Sequence, residues 1–556
     1  MTGPAAPLTE QDPDPGRSRP PGPGIGRAAA LIAGLTVAAR LLGLVRYLVF
    51  ARTVGAACLG TAYVTANQVP NIIYDIILGG ALASIMVPVL ARPAEHAARD
   101  PDAAGQVTHI SSALLTWTFV ILAPASLIIA VLAGPIASVL NPGNPAAGCL
   151  HADMVAVTGR MLTVFAPQIL LYGLAVVLYG ILQAHRRFTA PALAPVVSSL
   201  VVIAAYLIFV PVSQAGFGHL VSLGELSSAA ELTLSAGTTL GVAALVVTAL
   251  VAAWRLRLRV RPALRFPAGI APRARGLAMV GIAALVAQDA SVLVVIWLAN
   301  RHGAQGALVL YNYAWQVFVS AYAVLAIPIA VSAFPVLSAR DGGAFDDTAA
   351  GTARAVLLMS WLGASCLAAA AVPAARIFAS HPAQVPQLAR GLAAFAPGLV
   401  GYGIVACLSR VLLADGRNKM AAAAMSGGWL AVIGADVIAV SLVPRAWVVP
   451  ALGLGNTAGM SVSAVALVLA VRRARGARAL RGAPRAAWAG LAAALAGAAA
   501  GAAAAAAVPA SGRLADGGVA GLAAACAAAG FGAVAYALDG GDLRLAVARI
   551  RRRAAP

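Results

Sequence analysis

Long apolar stretches separated by short polar segments run along almost the whole chain. A helix needs about 20 mostly apolar residues to cross a bilayer, and the sequence contains fourteen stretches of at least about that length. Most are too uniformly apolar to show a 3.6-residue period, which is typical of helices surrounded by lipid and protein. The pattern predicts an all-α polytopic membrane protein with about 14 transmembrane helices. They are expected at residues 28–51, 61–91, 109–140, 154–182, 188–211, 228–254, 276–299, 305–338, 354–379, 388–414, 420–443, 448–471, 486–509 and 518–538.

The composition agrees with this class and excludes most soluble ones. Of 556 residues, 61% are hydrophobic and 10% are charged, with a mean hydropathy of +0.87. A soluble domain carries about 25% charged residues. Residues 1–26 are polar and rich in Pro and Gly, so we expect a disordered tail there. This tail lacks the basic region and the cleavage site of a signal peptide.

The basic residues indicate the orientation of the helices. Lys and Arg total 39 against 19 acidic residues, and positive charge concentrates in short cytoplasmic loops. With fourteen crossings and a cytoplasmic N-terminus, 29 basic residues fall in cytoplasmic segments, five in outer loops and five within helices. We therefore expect a multi-pass protein of the plasma (inner) membrane with both termini in the cytoplasm. The positive charge marks this topology and does not indicate a nucleic-acid partner.

Short motifs recur six predicted helices apart. Phe165-Ala166-Pro167 and Phe395-Ala396-Pro397 are each followed, at the same offset, by a Tyr-Gly pair. Pro-Val-Leu at residues 88–90 recurs at residues 335–337. Because six is an even number, both halves have the same orientation in the membrane. The sequence thus predicts two parallel-repeat six-helix lobes followed by two C-terminal helices.

These lobes divide the chain into seven segments. We name the two lobes the N-lobe and the C-lobe. The predicted boundaries are a disordered cytoplasmic tail at 1–26, the N-lobe at 27–254, a basic cytoplasmic linker at 255–275, the C-lobe at 276–471, a basic cytoplasmic loop at 472–485, the last two helices at 486–540 and a basic cytoplasmic tail at 541–556.

No enzyme or ATPase signature is present. The sequence lacks HExxH, GxSxG and Walker A motifs, and its cysteines and histidines have no metal-site spacing. We therefore expect neither an enzyme nor a bound metal. Cys58 and Cys149 both fall at predicted outer ends of helices and could pair in a disulfide, which the sequence alone does not decide.

A few polar side chains lie within the predicted membrane helices. An ionisable residue there costs at least about 2.5–3.5 kcal/mol, so it usually faces a cavity or a partner. Arginines can bind phosphate through charge-assisted hydrogen bonds. Alternatively, Arg40 could pair with Asp75, and Arg46 could extend towards the membrane surface. The candidates for substrate binding are Arg40, Arg46, Asn67, Gln68, Asn71, Asp75 and Gln316.

Two carboxylates in the C-lobe are candidates for a coupling-ion site. Asp289 lies in the seventh predicted helix and Asp436 in the eleventh. Oxygen ligands suit Na+, and a carboxylate could instead carry H+. The alternative is that each carboxylate is satisfied by neighbouring helices.

Motifs in the first, second and eighth predicted helices are specific enough to suggest a family. They are Arg40-Leu-Leu-Gly-Leu-Val-Arg46, Ala51-Arg-Thr-Val-Gly-Ala56, Asn67-Gln-Val-Pro-Asn71, Gly80-Ala-Leu82, Val87-Pro-Val-Leu90 and, in the second half, Tyr313-Ala314 through Leu337-Ser338. Together they resemble the MurJ (MviN) family of lipid II flippases, which belongs to the multidrug/oligosaccharidyl-lipid/polysaccharide exporter (MOP) superfamily. The resemblance covers approximately residues 28–470.

The resemblance implies a function. Such a protein would move a lipid-linked peptidoglycan precursor (lipid II, undecaprenyl-diphosphate-linked) from the inner to the outer leaflet by alternating access. The head group would enter a cationic cavity between the lobes, and the lipid tail would follow a groove beside the last two helices. Arg40, Arg46 and Pro70-Asn71 match family positions, and Thr457 joins Asp289 and Asp436 in the helices where some members bind Na+.

The resemblance also implies partners. A monomer would act on the lipid-linked precursor among membrane lipids, with cell-wall synthesis proteins as candidate partners. Apart from a coupling Na+ or H+, no cofactor is expected.

Several positions depart from the family pattern. Tyr74-Asp75 replaces a basic pair, Thr61 an acidic residue, Gly79 a glutamate and Gln316 an arginine. The predicted cavity therefore has fewer cations than is usual for the family. This leaves open a divergent member that handles another polyprenyl-diphosphate-linked precursor, or a transport-deficient membrane scaffold for cell-wall synthesis. A cation-coupled exporter of the same superfamily is a further alternative.

Overall fold

The regular elements of this protein are helices throughout the part of the chain that the structure describes. The computed structural model describes residues 23–77, 101–143, 148–214, 223–256, 261–264, 270–509 and 512–554. The N-lobe helices are α1 (Pro23–Thr53), α2 (Cys58–Ile76), α3 (Pro101–Val131), α4 (Ala133–Leu140), α5 (His151–Phe165), α6 (Gln168–Ala184), α7 (Thr189–Val212) and α8 (Ser228–Trp254). The C-lobe helices are α9 (Ile270–His302), α10 (Ala307–Leu325), α11 (Ile327–Ser338), α12 (Gly342–Ala369), α13 (Ala371–Phe378), α14 (Val385–Phe395), α15 (Gly398–Ala414), α16 (Asn418–Leu442) and α17 (Val448–Arg475). The last pair is α18 (Ala483–Ala507) and α19 (Arg513–Ala554).

Thirteen stretches within these ranges are long and apolar enough to cross a membrane. They match every predicted crossing except the second, of which α2 is the described part. The rest of that crossing, with Gly79, the Gly80–Leu82 motif and the Pro-Val-Leu motif at 88–90, lies outside the described residues. The prediction of a polytopic all-α protein is confirmed.

The first and last helices extend beyond the predicted crossings at 28–51 and 518–538. Helix α1 begins at Pro23, inside the segment predicted as a disordered tail, and α19 continues to Ala554 through the predicted C-terminal tail. Residues 1–22 lie outside the described part.

Helices break at matching places in the two lobes. Helix α5 ends at Phe165 and α6 begins at Gln168, whereas α14 ends at Phe395 and α15 begins at Gly398. Each break contains the Ala-Pro pair of the repeated motif. Proline has no N–H for the helical ladder and its ring clashes with the preceding turn. The same local sequence therefore makes the same bend in both lobes.

The pairs of helices that pack together also repeat. In the N-lobe the packed pairs are α1 with α7, α7 with α8, α6 with α8 and α4 with α5. In the C-lobe they are α9 with α16, α16 with α17, α15 with α17 and α13 with α14. The order along the chain is the same in both sets, which confirms the predicted parallel repeat.

The last two helices pack on the C-lobe and on each other. Helix α18 lies against α12, and α19 lies against α12 and α13. A Cβ atom at Gly497 would stand 2.5 Å from the carbonyl oxygen of Ala527, and one at Gly501 would stand 2.4 Å from that of Ala523. Small residues thus let the two backbones approach closely, as is common between helices in lipid.

Ion pairs join three helix ends of the C-lobe. Arg475, at the end of α17, lies 2.9 Å from Asp346 in α12 and 3.3 Å from Asp415 after α15. Arg478, which follows α17, pairs with Asp347 at 2.9 Å. These contacts lie at the predicted cytoplasmic end and tie the start of α12 to the ends of α15 and α17.

Candidate functional site

A polar cavity of about 100 Å³ lies between the lobes. Five N-lobe helices (α1, α2, α6, α7 and α8) form most of its wall, and α10 of the C-lobe forms the rest. The lining combines aromatic rings, amides, hydroxyls and one arginine, and it includes no carboxylate. The lining residues are Arg46, Tyr47, Phe50, Tyr63, Val64, Asn67, Gln68, Asn71, Tyr172, Ser198, Val202, Tyr206, Thr238, Val242, Val309, Asn312 and Tyr313.

Three hydroxyl groups form a chain in one wall of the cavity. The Thr238 hydroxyl donates to the carbonyl of Leu234 at 2.7 Å, within α8. A threonine hydroxyl has one proton, so in its 2.7 Å contact with Tyr63 it accepts from the tyrosine. Tyr63 in turn accepts from Tyr206 at 2.8 Å. The chain ends at the Tyr206 oxygen, which can still accept a hydrogen bond from a ligand.

A second chain runs through the amides of α2. The Tyr172 hydroxyl donates to Asn71 Oδ1 at 3.0 Å, and Asn71 Nδ2 donates to Gln68 Oε1 at 3.2 Å. This arrangement leaves the Gln68 amide group as a donor towards the cavity. Nearby, Asn67 Oδ1 is buried without a hydrogen-bond partner. The two chains therefore offer both donors and acceptors to a ligand rich in hydroxyl groups.

Arg46 is the one cation in the lining. Its guanidinium lies 5.5 Å from the ring centre of Tyr47. Among the ion pairs of the described residues, none includes Arg46. A cation away from water is costly without a counter-charge. The chemistry of this position therefore suits an anionic group of a ligand.

Four of the seven predicted substrate residues line the cavity, and three lie away from its lining. Arg40 and Asp75 are exposed, and no ion pair of the described residues joins them. Gln316 is half-buried on α10, one turn beyond the lining residue Asn312. The part these three play in binding stays a prediction.

Several residues that line the cavity were not predicted from the sequence. Tyr63, Tyr172, Tyr206 and Thr238 sit in apolar stretches, where an aromatic or β-branched residue usually indicates core packing. Asn312 had a detectable signal, because it is an amide within a membrane helix. The other polar groups are recognised only when α6, α7 and α8 are seen around one space.

At the end of the molecule predicted to face outside (the outer end), the lobes are joined by hydrogen bonds. The Ala56 N–H donates to Ser380 Oγ at 3.0 Å, and the Ala56 carbonyl accepts from Gln384 Nε2 at 2.7 Å. Gln384 Oε1 also accepts from the backbone N–H groups of Ser380 and His381. The buried Gln384 side chain thus stabilises its own loop and forms a hydrogen bond to the opposite lobe.

The contact between Ala56 and the C-lobe is close enough to require glycine. Gly306, before α10, has φ +76°, and a Cβ there would stand 2.2 Å from the Ala56 carbonyl oxygen. Its left-handed backbone is one that glycine adopts readily. The same φ of +76° occurs at Gly55, before the repeat-related α2. The two lobes therefore meet at matching turns.

Three further residues join the lobes at the outer end. Asn300 Nδ2 donates to Thr65 Oγ1 at 3.1 Å and to the Leu140 carbonyl at 2.9 Å. Arg301 donates to the Gly143 carbonyl at 2.8 Å, and Arg52 donates to the Ile377 carbonyl. Among the described residues, the hydrogen bonds between the lobes lie at the outer end, so the lobes are closed there.

A disulfide joins Cys58, at the start of α2, to Cys149, in the loop before α5. The Cα atoms lie 5.7 Å apart, and 91 residues separate the two cysteines. Gln305 of the C-lobe donates to the Cys58 sulfur at 3.3 Å. The disulfide, which the sequence left undecided, therefore fixes an N-lobe loop beside the closed outer end.

The predicted coupling-ion residues occupy two places. Asp289 is 3% exposed and Asp436 is fully buried, and neither carboxylate has a hydrogen-bond partner. Asp436 lies against Gly455 of α17, beside Asn456, whose Oδ1 is also buried without a partner. Thr457 donates to the Ala394 carbonyl at 2.8 Å. The Asp289 carboxylate interacts electrostatically with Asp75, whereas the Asp436 carboxylate interacts with Tyr311 and Tyr402.

Most of the sequence matches one known protein family. A sequence model of the MurJ family, described as "Lipid II flippase MurJ", matches residues 50–515. The chain belongs to this family. Lipid II flippase MurJ of Burkholderia cenocepacia is 28% identical over 189 residues, which are 33% of this chain and 34% of that protein. The aligned part thus spans about a third of the length of that relative.

Solved structures agree with the MurJ fold. A structure titled "Lipid II flippase MurJ, inward closed conformation" has a TM-score of 0.69 and 17% identity, covering 91% of this chain and 99% of its own. An inward-facing multidrug resistance MATE family transporter of the MOP superfamily has a TM-score of 0.62 and 16% identity, covering 81% of this chain and 98% of its own. The prediction of the MurJ family is confirmed, and the solved structures show that the chain shares its fold with that MATE transporter.

Proposed function

We propose that this MurJ family member is a flippase that moves a lipid-linked peptidoglycan precursor from the inner to the outer leaflet by alternating access. The observation that carries the proposal is a polar inter-lobe cavity with one unpaired arginine. Membership of the family and the printed function of the Burkholderia relative support the choice of substrate. An exporter of cationic drugs fits less well, because no carboxylate is among the lining residues.

At about 100 Å³ the cavity would hold only part of the head group in this conformation, and different lining residues would contact different chemical groups. Arg46 would attract a phosphate of the lipid-linked diphosphate through a charge-assisted hydrogen bond. The amides of Gln68 and Asn67 and the oxygen of Tyr206 would bind sugar hydroxyls. The undecaprenyl tail would stay in the membrane, because its transfer into a polar cavity would lose the burial of many methylene groups.

The direction of access follows from the two ends of the cavity. Hydrogen bonds at Ala56, Asn300 and Arg301 close the outer end. Towards the predicted cytoplasmic end, the charged residues Arg40 and Asp75 are exposed. A substrate from the inner leaflet would enter on that side, and the lobes would then part at the outer end. Both termini would face the cytoplasm.

A cation could bias this exchange between states. The oxygen atoms at Asp436 would suit Na+ or H+, because both of its carboxylate oxygens and Asn456 Oδ1 are buried without hydrogen-bond partners. Hard cations take such oxygen ligands. Asp436 and Asn456 would hold the ion, with Thr457 beside them in the sequence, and Asp289 would be a candidate for a separate site. A bound cation would offset the cost of the buried carboxylate.

One observation favours the scaffold alternative. Arg46 is the single cation in the described lining, while Tyr74, Asp75 and Gln316 stand where many family members carry basic residues. A protein that no longer transports would tolerate the loss of Arg46. A flippase would not.

Complementation separates these functions. Bacteria depleted of their own MurJ would express this chain, its Arg46→Ala variant or an Arg445→Ala control. Arg445 is exposed in an outer loop and lies outside the cavity lining. We expect the native chain and the control to expose lipid II to a membrane-impermeant head-group probe, with at least a tenfold loss for Arg46→Ala. If all three proteins restore growth equally, Arg46 does not bind substrate; if none exposes lipid II, the chain is not its flippase.

A further inference from the structure

A groove separate from the inter-lobe cavity lies in the outer half of the molecule. It is on the face of α1 opposite to that cavity. It has a volume of about 350 Å³ and is bounded by α1, α7, α13 and the start of α19. Its lining is Leu48, Val49, Arg52, Leu207, Ile377, Arg513 and Leu514. None of these residues lines the inter-lobe cavity. The groove is therefore separate from the proposed path of the substrate head group.

The apolar part of this groove is suited to contact with lipid. Leu207 is 45% exposed and Leu514 is 97% exposed. Leu514 stands at the start of α19, next to Arg513. Large apolar side chains exposed on a membrane-spanning fold face the acyl chains of the bilayer. The groove therefore offers an apolar slot to a lipid chain.

Two arginines give this slot a positive end. Arg52 Nη2 donates to the Ile377 carbonyl, while its Nη1 is shielded from water and has no hydrogen-bond partner. The nearby carboxylate of Asp516 is already paired with Arg376 at 3.5 Å. The groove therefore carries two arginines at its outer end that have no ion-pair partner among the described residues.

We propose that this groove binds one anionic glycerophospholipid of the outer leaflet, with its phosphate between Arg52 and Arg513. The charge selects an anionic head group, and arginine binds phosphate oxygens through its planar set of donors. One acyl chain lies along Leu48, Leu207 and Ile377. Because Arg52 and Leu48 belong to the N-lobe and Ile377 to the C-lobe, the bound lipid bridges the lobes and favours the closed outer end.

Lipid retention by the purified full-length chain tests this site. The protein is mixed in detergent with phosphatidylglycerol or with phosphatidylcholine of the same acyl chains, and bound lipid is measured by native mass spectrometry. We expect one tightly retained phosphatidylglycerol and weaker retention of phosphatidylcholine. One basic group near an anionic lipid contributes about a fivefold change in affinity. Arg52→Gln and Arg513→Gln should each reduce phosphatidylglycerol retention roughly fivefold, and Arg52→Lys less.

The control is Arg445→Gln, because Arg445 is an exposed arginine of an outer loop away from the groove. It should leave retention unchanged. Arg513→Gln keeps the test informative if loss of the Arg52 contact with Ile377 weakens folding. An equal loss in the Arg445 variant, or equal retention of the two lipids, overturns the proposal. So does displacement of phosphatidylglycerol by undecaprenyl phosphate at lower concentration, which would make the polyprenyl lipid the occupant.

Discussion

At the scale of single residues, the function depends on polar groups that other side chains leave unsatisfied. Arg46 has no carboxylate partner among the described residues, and the amide of Gln68 and the oxygen of Tyr206 end their hydrogen-bond chains at the cavity. In a membrane protein such groups are expensive to bury. Their presence around one space is what distinguishes a binding cavity from a packing defect.

Gly455→Ala tests the placement of the Asp436 carboxylate. A Cβ at position 455 would stand 2.0 Å from Asp436 Oδ1 and 2.9 Å from its backbone nitrogen, so α16 and α17 would have to separate. Overpacking of this kind typically costs about 1–3 kcal/mol. We expect that loss in the free energy of unfolding, measured by denaturation in detergent.

The matched control is Gly434→Ala on α16, two residues before Asp436. Nothing lies within 4 Å of a Cβ at Gly434. Alanine there should keep the stability of the native chain or raise it by about 0.5–1 kcal/mol, through its better helix propensity. Equal stability of the two variants would mean that α17 does not press on Asp436.

Only part of the site was predictable from the sequence. Arg46, Asn67, Gln68 and Asn71 were predictable, because polar residues in an apolar helix differ clearly from their neighbours. Tyr63 and Thr238 were not, since one tyrosine or threonine in such a helix is compatible with ordinary packing. Their role depends on α2 and α8 meeting, which no local pattern in either helix specifies.

At the scale of elements, the repeated Ala-Pro motif and the paired turns at Gly55 and Gly306 organise the two lobes. The bends after Phe165 and Phe395 follow from local sequence and were predictable as a repeat. The contact between lobes was not predictable in this way. It depends on a carbonyl at Ala56 meeting a loop more than 300 residues later in the chain.

Gln384→Glu should loosen the outer end. The native amide donates to the Ala56 carbonyl and accepts from its own loop. A carboxylate keeps the acceptor but replaces the donor with a second acceptor, which repels that carbonyl oxygen. Leaving a buried acceptor unpaired costs about 1–3 kcal/mol. We therefore expect faster hydrogen exchange at Ala56, measured by mass spectrometry.

Gln183→Glu is the control for charge, because Gln183 is exposed at the predicted cytoplasmic end. It should leave exchange at Ala56 unchanged. Native-like protection of Ala56 in the Gln384 variant would show that Gln384 does not hold the lobes together.

At the scale of the whole molecule, the two lobes differ in what they contribute to the cavity and in how they are held together. The N-lobe supplies most of the cavity wall and carries the disulfide, whereas ion pairs join the ends of α12, α15 and α17 in the C-lobe. The last two helices add to the C-lobe side. Under the proposed mechanism, movement between states would take place at the boundary between the lobes, where the contacts are hydrogen bonds and close glycine packing.

A reversible cross-link tests that movement. Cysteines replace Ala56 and Ser380, whose backbone nitrogen and side-chain oxygen lie 3.0 Å apart, in a Cys58→Ala, Cys149→Ala background. We expect oxidation to stop exposure of lipid II on the outer leaflet and a reductant to restore it, because a covalent bond prevents the lobes from parting.

The two single-cysteine proteins should be insensitive to the oxidant. Undiminished transport by the fully cross-linked double variant would contradict alternating access through this end.

Under the proposed mechanism, the hydrogen bonds at the outer end would also set how often it opens. Water replaces each broken bond, so a bond such as that from Gln384 to Ala56 contributes only about 0.5–1.5 kcal/mol net. A few such bonds keep the open form a minor population without abolishing it. A ligand that prefers the open form by about 5.5 kcal/mol would move such an equilibrium from 1:99 to 99:1. Under the proposed mechanism, the resting protein would thus sample its release state before any substrate arrives, and the cargo would select that state.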